Sequence, residues 1–234
     1  MPRWSRREDK VGGERALVKL YRSVPQPLQR LVSKTTTWAG IDAHLILLSD
    51  SVLRRRGWFR SFGEGPVDHE GRPLPWMPYS FIDFASERID DSMRVFEFGS
   101  GNSTRWWAEH CDEVISVEDN RKWYERIKSE LPVNSQIVYR SSEEFASEIT
   151  NHRSFDIVVV DGSDRVQCIK NSIEHLTDEG VIVFDDTYRN EYEPAFELLE
   201  AENFSEIFFQ GMGPVSPALQ RTSVFYRPGN CFNI

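Results

Sequence analysis

The sequence predicts an α/β protein built on a doubly wound, mostly parallel β-sheet. From about Tyr79 onward, short apolar runs alternate with stretches whose apolar residues recur at helical spacing. Strands that alternate with helices imply right-handed crossovers and a parallel sheet covered on both faces. Of the 234 residues, 39% are hydrophobic and 12% aromatic, which is enough to bury a substantial core.

The predicted elements follow one another in regular order. Helices are predicted over 80–89, 104–110, 120–131, 143–149, 165–176 and 193–202, and strands over 94–99, 113–118, 135–140, 155–161 and 180–186. Residues 57–80 are rich in Gly and Pro and predict a long loop. We therefore expect an N-terminal helical extension with this loop over 1–76 and the main domain over 77–234.

Charge is distributed unevenly along the chain. The net charge is −9, yet residues 1–34 carry +6 and the remainder −15. An acidic main domain argues against nucleic acid as the principal partner, because phosphate binding requires a basic surface. The basic start of the chain makes weak contact with an anionic membrane face a candidate interaction, although its apolar residues can equally cover the acceptor pocket or a sheet edge.

No apolar stretch is long enough to cross a membrane, and the first residues lack the apolar run of a signal peptide. This pattern predicts a cytoplasmic protein, with the inner membrane face as an alternative location. Cys111, Cys168 and Cys231 are widely spaced, which indicates reduced structural cysteines.

The stretch "VFEFGSGNSTRWWAEH" places two glycines between a predicted strand and a predicted helix. In doubly wound sheets a ligand binds at this point, because glycine lets it approach the backbone and the helix start offers free N–H groups. A dinucleotide fingerprint would have a third glycine where this chain has Thr104. That departure argues against a nicotinamide oxidoreductase.

The segment "EFGSGNST" resembles the first motif of class I S-adenosylmethionine-dependent methyltransferases, and the resemblance continues over roughly residues 77–234. It implies a seven-stranded, Rossmann-like sheet with an antiparallel C-terminal strand. It also implies a set of cofactor-binding residues: Glu97, Gly99, Ser100, Gly101, Asn102, Ser103, Glu118, Ser142 and Asp161.

Glu118 is the sharpest of these predictions. A carboxylate about 20 residues beyond the glycine turn, at a strand end, can accept hydrogen bonds from both ribose hydroxyls. The alternative is that Glu118 is simply a neighbour of the helix N-cap in "EDN". Ser142 and Glu143 follow the third strand, where the resemblance implies contact with adenine, although polar residues there can simply form a turn.

Three aspartates end the fourth and fifth predicted strands: Asp161, Asp185 and Asp186. Their arrangement is similar to the divalent-metal site of catechol-type and macrocin-type O-methyltransferases, which implies Mg²⁺ or another divalent cation bound to the acceptor hydroxyl. The alternative is that these acids cap helices or open turns. If their side chains converge, repulsion should raise at least one pKa unless a cation or a basic side chain compensates.

The general base is open among Asp161, Asp164 and Asp186. Asp164 falls where catechol-type enzymes carry a lysine base, so the position matches while the residue differs. Arg165 and Arg189 are predicted at the same edge, where they can hold an anionic substrate or form surface salt bridges.

These features predict a methyltransferase, most simply an O-methyltransferase acting on a sugar, a glycan or another small molecule. Segment 18–34 resembles the leading segments of methyltransferase-like proteins of surface-polysaccharide synthesis, which favours glycan biosynthesis. The alternative is a non-catalytic protein that binds a ligand or partner in the same pocket. Such a protein would keep the glycine turn without needing three aspartates at one edge.

Overall fold

The computed structural model describes residues 51–234, together with residues 25, 47 and 48. Most of the predicted extension, including the basic residues 1–34 apart from Pro25, lies outside the described residues, so its helices and its membrane contact stay predictions. None of the described helices is long and apolar enough to cross a membrane.

The chain alternates helices and strands as the pattern predicts. The helices are α1 (Val52–Arg55), α2 (Trp58–Glu64), α3 (Tyr79–Ser86), α4 (Asn102–Ala108), α5 (Arg121–Ile127), α6 (Ser142–Phe145), α7 (Arg165–Ser172) and α8 (Glu193–Ala201). The strands are β1 (Arg94–Phe98), β2 (Glu113–Glu118), β3 (Ser135–Tyr139), β4 (Phe155–Val160), β5 (Leu176–Asp185), β6 (Ser205–Gly211) and β7 (Gln220–Tyr226).

The seven strands form one sheet in the order β3-β2-β1-β4-β5-β7-β6. Strands β1 to β5 run parallel to one another, whereas β7 is antiparallel to both β5 and β6. The predicted fold class is therefore confirmed, including the antiparallel C-terminal strand. The strand order reverses between β1 and β4, which is where ligands bind in sheets of this kind.

Each central strand contributes to two apolar cores, one on each face of the sheet. In β4, Val158 and Val160 pack with Phe145, whereas Ile157 and Val159 pack with Trp107 on the opposite face. Side chains of a strand alternate between faces, so a strand covered on both sides reads as a continuous apolar run. This explains the sequence "FDIVVV".

One local prediction is wrong. The stretch 57–80 is not a continuous loop, because Trp58–Glu64 forms α2. The aromatic rings of Trp58 and Phe62 lie on the same helical face, with centroids 4.7 Å apart, and this i,i+4 contact stabilises the turn. Gly65 then ends the helix in a left-handed conformation, with φ of 85°.

Candidate active site

The glycine turn, residues 99–103, connects β1 to α4 at the carboxyl edge of the sheet. Gly99 has φ of +102°, a left-handed conformation that favours glycine. A Cβ atom on Gly99 would lie 3.1 Å from the carbonyl oxygen of Asp161, at the end of β4. The close approach of two strand ends therefore requires glycine at this position.

Gly101 has a different role. Its φ of 163° is extended and open to any residue, and a Cβ atom there would meet the Trp123 ring at an ordinary 3.8 Å. Gly101 lines a cavity. The absence of a side chain at this position leaves space in the cavity and is not needed for a special backbone conformation.

Glu97 and Thr104 hold the glycine turn in place through hydrogen bonds. The Thr104 hydroxyl donates to the Glu97 carboxylate and accepts from the backbone N–H of Gly101 at 3.0 Å. Burial raises the pKa of Glu97 to about 7, while hydrogen bonds from Ser103 and Thr104 oppose this rise. Thr104, which replaces the third glycine of a dinucleotide motif, therefore locks the turn.

Glu118 ends β2 beside the turn. One carboxylate oxygen accepts from the Ser100 hydroxyl at 2.7 Å, and the other accepts from the backbone N–H of Asn120 at 2.9 Å. The side chain of Asn120 caps α5 by accepting from the N–H groups of Lys122 and Trp123. Glu118 thus braces the loop before α5 but does not cap the helix, and its oxygens retain lone pairs for a ligand.

Burial raises the pKa of Glu118 above its ordinary value, with the hydrogen bonds from Ser100 and Asn120 acting in the opposite direction. Glu118 lines a cavity of about 320 Å³ between the ends of β1, β2 and β4. A second cavity, of about 600 Å³, lies on the other side of the turn. Ser100, Trp123 and Asp161 line both cavities, so they form the partition between them.

Trp123 and the segment before α3 complete the larger cavity. The Trp123 indole N–H donates to the carbonyl oxygen of Ser100 at 2.8 Å. Residues 63–67 and Trp76 form the facing wall, and the Asn102 amide ties this wall to the turn by donating to the carbonyl oxygen of Pro66 at 2.7 Å. The segment predicted as a plain loop is therefore part of the cleft.

The residues predicted to contact adenine do not line the smaller cavity. Ser142 is exposed and lies 3.3 Å from the carboxylate of Asp119, outside the lining of the smaller cavity. Asp119, Phe145 and Gly162 line that cavity instead. Phe145 gives no sequence signal of its own, because an aromatic residue in a short helix normally indicates core packing.

Of the tryptophans Trp106, Trp107 and Trp123, two are core residues. Trp106 and Trp107 are 3% and 0% exposed and pack under the sheet, whereas Trp123 faces the cleft.

The aspartate cluster comprises Asp161, Asp185 and Asp186, which lie around Arg165 at the ends of β4 and β5. Burial raises the pKa of the Asp161 carboxyl to about 7 and that of the Asp185 carboxyl well above its ordinary value, and the charges of neighbouring acids act in the same direction. The Arg165 guanidinium acts in the opposite direction at both groups. Asp185 also accepts from the Thr222 hydroxyl, within the sheet.

The predicted divalent-metal site is not supported. Within the described part of the chain, no group of three or more His, Cys, Asp or Glu side chains has a geometry that could hold a metal ion. Arg165, which the sequence placed at the same edge, lies among the aspartates, 2.9 Å from Asp161 and 3.5 Å from Asp186. Of its two predicted alternatives, the structure shows salt bridges.

The other candidate bases lie at the margin of the cleft. Asp164 directly precedes α7 in a left-handed conformation with φ of 44°. It is exposed and lies outside the lining of both described cavities. Asp186 is held by Arg165 and Arg189. A catalytic role for either residue stays a prediction.

Known proteins share the domain and the fold. Residues 96–187 match a family model described as "Methyltransferase domain". No curated protein matches the sequence. The structure is similar to an rRNA methylase from Streptococcus thermophilus, with 14% identity over 65% of this chain and 98% of that chain and a TM-score of 0.50.

Two further solved structures share the fold. The first is precorrin-6y C5,15-methyltransferase from Geobacter metallireducens, with 14% identity over 63% of this chain and 86% of that chain and a TM-score of 0.52. The second is precorrin 8w decarboxylase from Methanobacterium thermoautotrophicum, with 16% identity over 69% and 91% and a TM-score of 0.51. These similarities show the fold, but they do not indicate a substrate. Residues 96–187 therefore match a methyltransferase domain, and the fold is that of the solved structures above.

Proposed function

We propose that the protein transfers the methyl group of S-adenosylmethionine to a hydroxyl group of a sugar, a glycan or another small molecule. One observation carries the cofactor part of this proposal. The Glu118 carboxylate stands at the end of β2, beside the glycine turn, with its oxygens facing a cavity at the point where the strand order reverses.

The residues of the cleft fit the cofactor. Glu118 has lone pairs for ribose hydroxyls, and Ser100 orients its carboxylate. The glycine turn exposes backbone toward the larger cavity, where the methionine part would lie against Gly101 and Ser103. When bound, S-adenosylmethionine supplies an electrophilic methyl group, and the cleft then has to align the acceptor oxygen with that carbon.

Asp161 is the best placed candidate for the general base. It lines both cavities, so it borders the cofactor cleft and the space beyond it. Its pKa of about 7 suits proton transfer near neutral pH, because a base works best when its pKa lies near the operating pH. The hydroxyl proton would pass to the Asp161 carboxylate as the acceptor oxygen bonds to the methyl carbon and the bond between that carbon and sulfur breaks, which leaves S-adenosylhomocysteine.

The wall of the larger cavity supports a polar acceptor with an apolar face. Trp76 and Trp123 are 48% and 37% exposed, and Arg105 and Arg126 line the same cavity. Exposed aromatic faces beside hydrogen-bonding groups are typical of small-molecule sites in which polar contacts fix the orientation. A sugar, with ring faces and hydroxyl groups, has the matching chemistry.

Calorimetry with S-adenosylhomocysteine tests the cofactor assignment. The wild type should bind, and Glu118→Ala should lose about 1.5–3 kcal/mol of binding free energy, because hydrogen bonds to a charged group are removed. The matched control is Glu125→Ala, an exposed acid on α5 with the same change in charge, which should bind like the wild type. Equal affinity of the Glu118 variant and the wild type would refute the assignment.

A transfer assay tests the reaction. Purified protein with labelled S-adenosylmethionine should methylate at least one member of a panel of glycans and nucleotide sugars, and Asp161→Asn should lose transfer while still binding S-adenosylhomocysteine. Methylation confined to amines or to nucleic acid would contradict the proposed acceptor class. Cofactor binding without transfer to any hydroxyl would favour the non-catalytic alternative.

A further inference from the structure

Arg165 has a role that neither the fold nor the cofactor explains. It is the first residue of α7, and its side chain is 10% exposed although it carries a permanent charge. A charged side chain that leaves water must find compensating partners. Arg165 finds them on two different strand ends.

All three guanidinium nitrogens donate to the protein. Nε donates to the carbonyl oxygen of Gly162 at 3.0 Å, and Nη1 donates to the carbonyl oxygen of Asp185 at 2.6 Å. Nη2 donates to the Asp161 carboxylate at 2.9 Å and lies 3.5 Å from that of Asp186. The guanidinium thus joins the loop after β4 to the end of β5.

These contacts argue against Arg165 as a receptor for an anionic substrate. Arginine binds carboxylates and phosphates through a free fork of two parallel N–H groups. Here each nitrogen already has a backbone or carboxylate acceptor. The side chain is also only 10% exposed, so a substrate anion would have little access to the N–H groups that remain.

The positive and negative charges of the aspartate cluster lie close together and offset one another. Two guanidinium groups, Arg165 and the half-exposed Arg189, face the three carboxylates of the aspartate cluster. The most enclosed carboxyl is that of Asp185, which is 4% exposed and hydrogen-bonded to Thr222. Burial raises the pKa of Asp185, which favours its neutral form and so reduces the negative charge that the two arginines face.

We propose that Arg165 is the resident cation of the aspartate cluster: it holds Asp161 in position at the partition of the two cavities and leaves no place for a divalent ion. Arg165 is on this account a positioning residue that acts through Asp161. The arrangement goes beyond the proposed function, because it concerns which cation organises the cleft. Its test needs neither cofactor nor acceptor, so its failure would leave the proposed function untouched.

Thermal unfolding with and without Mn²⁺ tests the proposal. The wild type should show the same Tm in chelator and in millimolar Mn²⁺. Arg165→Ala removes the cation from three clustered acids, so its Tm should fall by roughly 10 °C in chelator. Millimolar Mn²⁺ should then recover at least half of that loss, because the vacated cluster offers oxygen ligands that this ion prefers.

Two matched variants make the readout specific. In the Arg165→Ala background, Asp161→Asn should abolish the recovery by Mn²⁺, because it removes one of the ligands. Arg189→Ala, which removes a more exposed arginine from the same cluster, should lose less stability and show no response to Mn²⁺. A merely structural arginine would not produce a loss that a divalent ion restores.

Each contrary result overturns the proposal. A wild-type protein that Mn²⁺ stabilises through Asp161 would have a true metal site. An Arg165→Ala variant that keeps the wild-type Tm, or that loses stability without any recovery by Mn²⁺, would show that Arg165 is not the cation of the cluster. If Arg165→Ala does not fold, Arg165→Lys replaces it, because lysine keeps the positive charge but has no planar pair of N–H groups. Arg165→Lys should fold with a lowered Tm that Mn²⁺ does not change. A rise of its Tm in Mn²⁺ would again contradict the proposal.

Discussion

The glycine turn and the aspartate cluster stand at neighbouring strand ends of one cleft, yet they are built in different ways. The turn depends on backbone conformation: Gly99 is left-handed, and a side chain on it would collide with the end of β4. The cluster depends on side chains drawn from β4, β5, α7 and β7. Its shape exists only after the sheet has formed.

This difference decides how each region should respond to substitution. A backbone-built site fails when a single atom is added, because the turn has no room to move. A side-chain network responds by redistributing protons and hydrogen bonds, so its failures depend on pH and on the loss of individual partners. Three substitutions follow, beginning with the largest expected effect. The first concerns Glu97, the buried acid that holds the glycine turn through Thr104, and the other two compare the turn with the cluster.

Glu97→Gln should change the pH dependence of stability. The folded protein holds the Glu97 proton more tightly than the unfolded chain does, because its pKa rises from 4.5 to about 7. That stabilisation is complete below about pH 4.5 and is lost as the pH rises toward 7. Replacing the acid should remove about 3 kcal/mol of this fall in the free energy of unfolding between pH 4.5 and 7, measured by urea titration.

The control for this prediction is Glu125→Gln on α5, which should keep the wild-type pH dependence. If the slope of Glu97→Gln also matches the wild type, Glu97 titrates normally, and the turn is not fastened over a buried, protonated acid.

Gly99→Ala should lower the free energy of unfolding by roughly 1–3 kcal/mol, because alanine is strained at a φ of +102° and its Cβ presses on Asp161. Gly101→Ala, two residues on in an extended conformation, should cost less than about 1 kcal/mol. A larger side chain in Gly101→Val should leave the protein folded and abolish binding of S-adenosylhomocysteine by filling the cleft. Equal costs at Gly99 and Gly101 would mean that the turn is not set by its backbone.

Thr222→Val should have the smallest effect, on the aspartate cluster alone. It removes the hydroxyl that donates to Asp185 and should lower the free energy of unfolding by about 1 kcal/mol. The affinity for S-adenosylhomocysteine should not change, since Asp185 lies outside the lining of both described cavities. Thr177→Val removes a similar hydroxyl-to-aspartate bond at the other end of β5 and is the matched control. A loss of affinity confined to Thr222→Val would show that the two regions are coupled.

The fold and the glycine turn could be predicted because their signals are local. Alternating apolar runs identify the strands, and glycines after the first strand identify the turn. The position of Glu118 follows from chain distance alone, since it ends the strand next to that turn. What could not be predicted is which of two glycines is obligatory, because only Gly99 approaches β4.

The aspartate cluster shows where the sequence stops being informative. Its acids could be placed at neighbouring strand ends, yet the direction of the Arg165 side chain depends on carbonyl groups of Gly162 and Asp185 that only the folded sheet brings together. In the same way, α2 and residues 63–67 enter the cleft through a contact between Asn102 and Pro66, 36 residues apart. Long-range contacts of this kind produce no periodic pattern in the sequence.

The most direct test of the account is a crystal structure of the wild-type protein with S-adenosylhomocysteine, grown in the presence of a chelator. The account predicts both ribose hydroxyls within hydrogen-bond distance of the Glu118 carboxylate, the homocysteine part along residues 99–103, and the sulfur on the side of Asp161. A ligand bound elsewhere, or bound with its ribose away from Glu118, would contradict it.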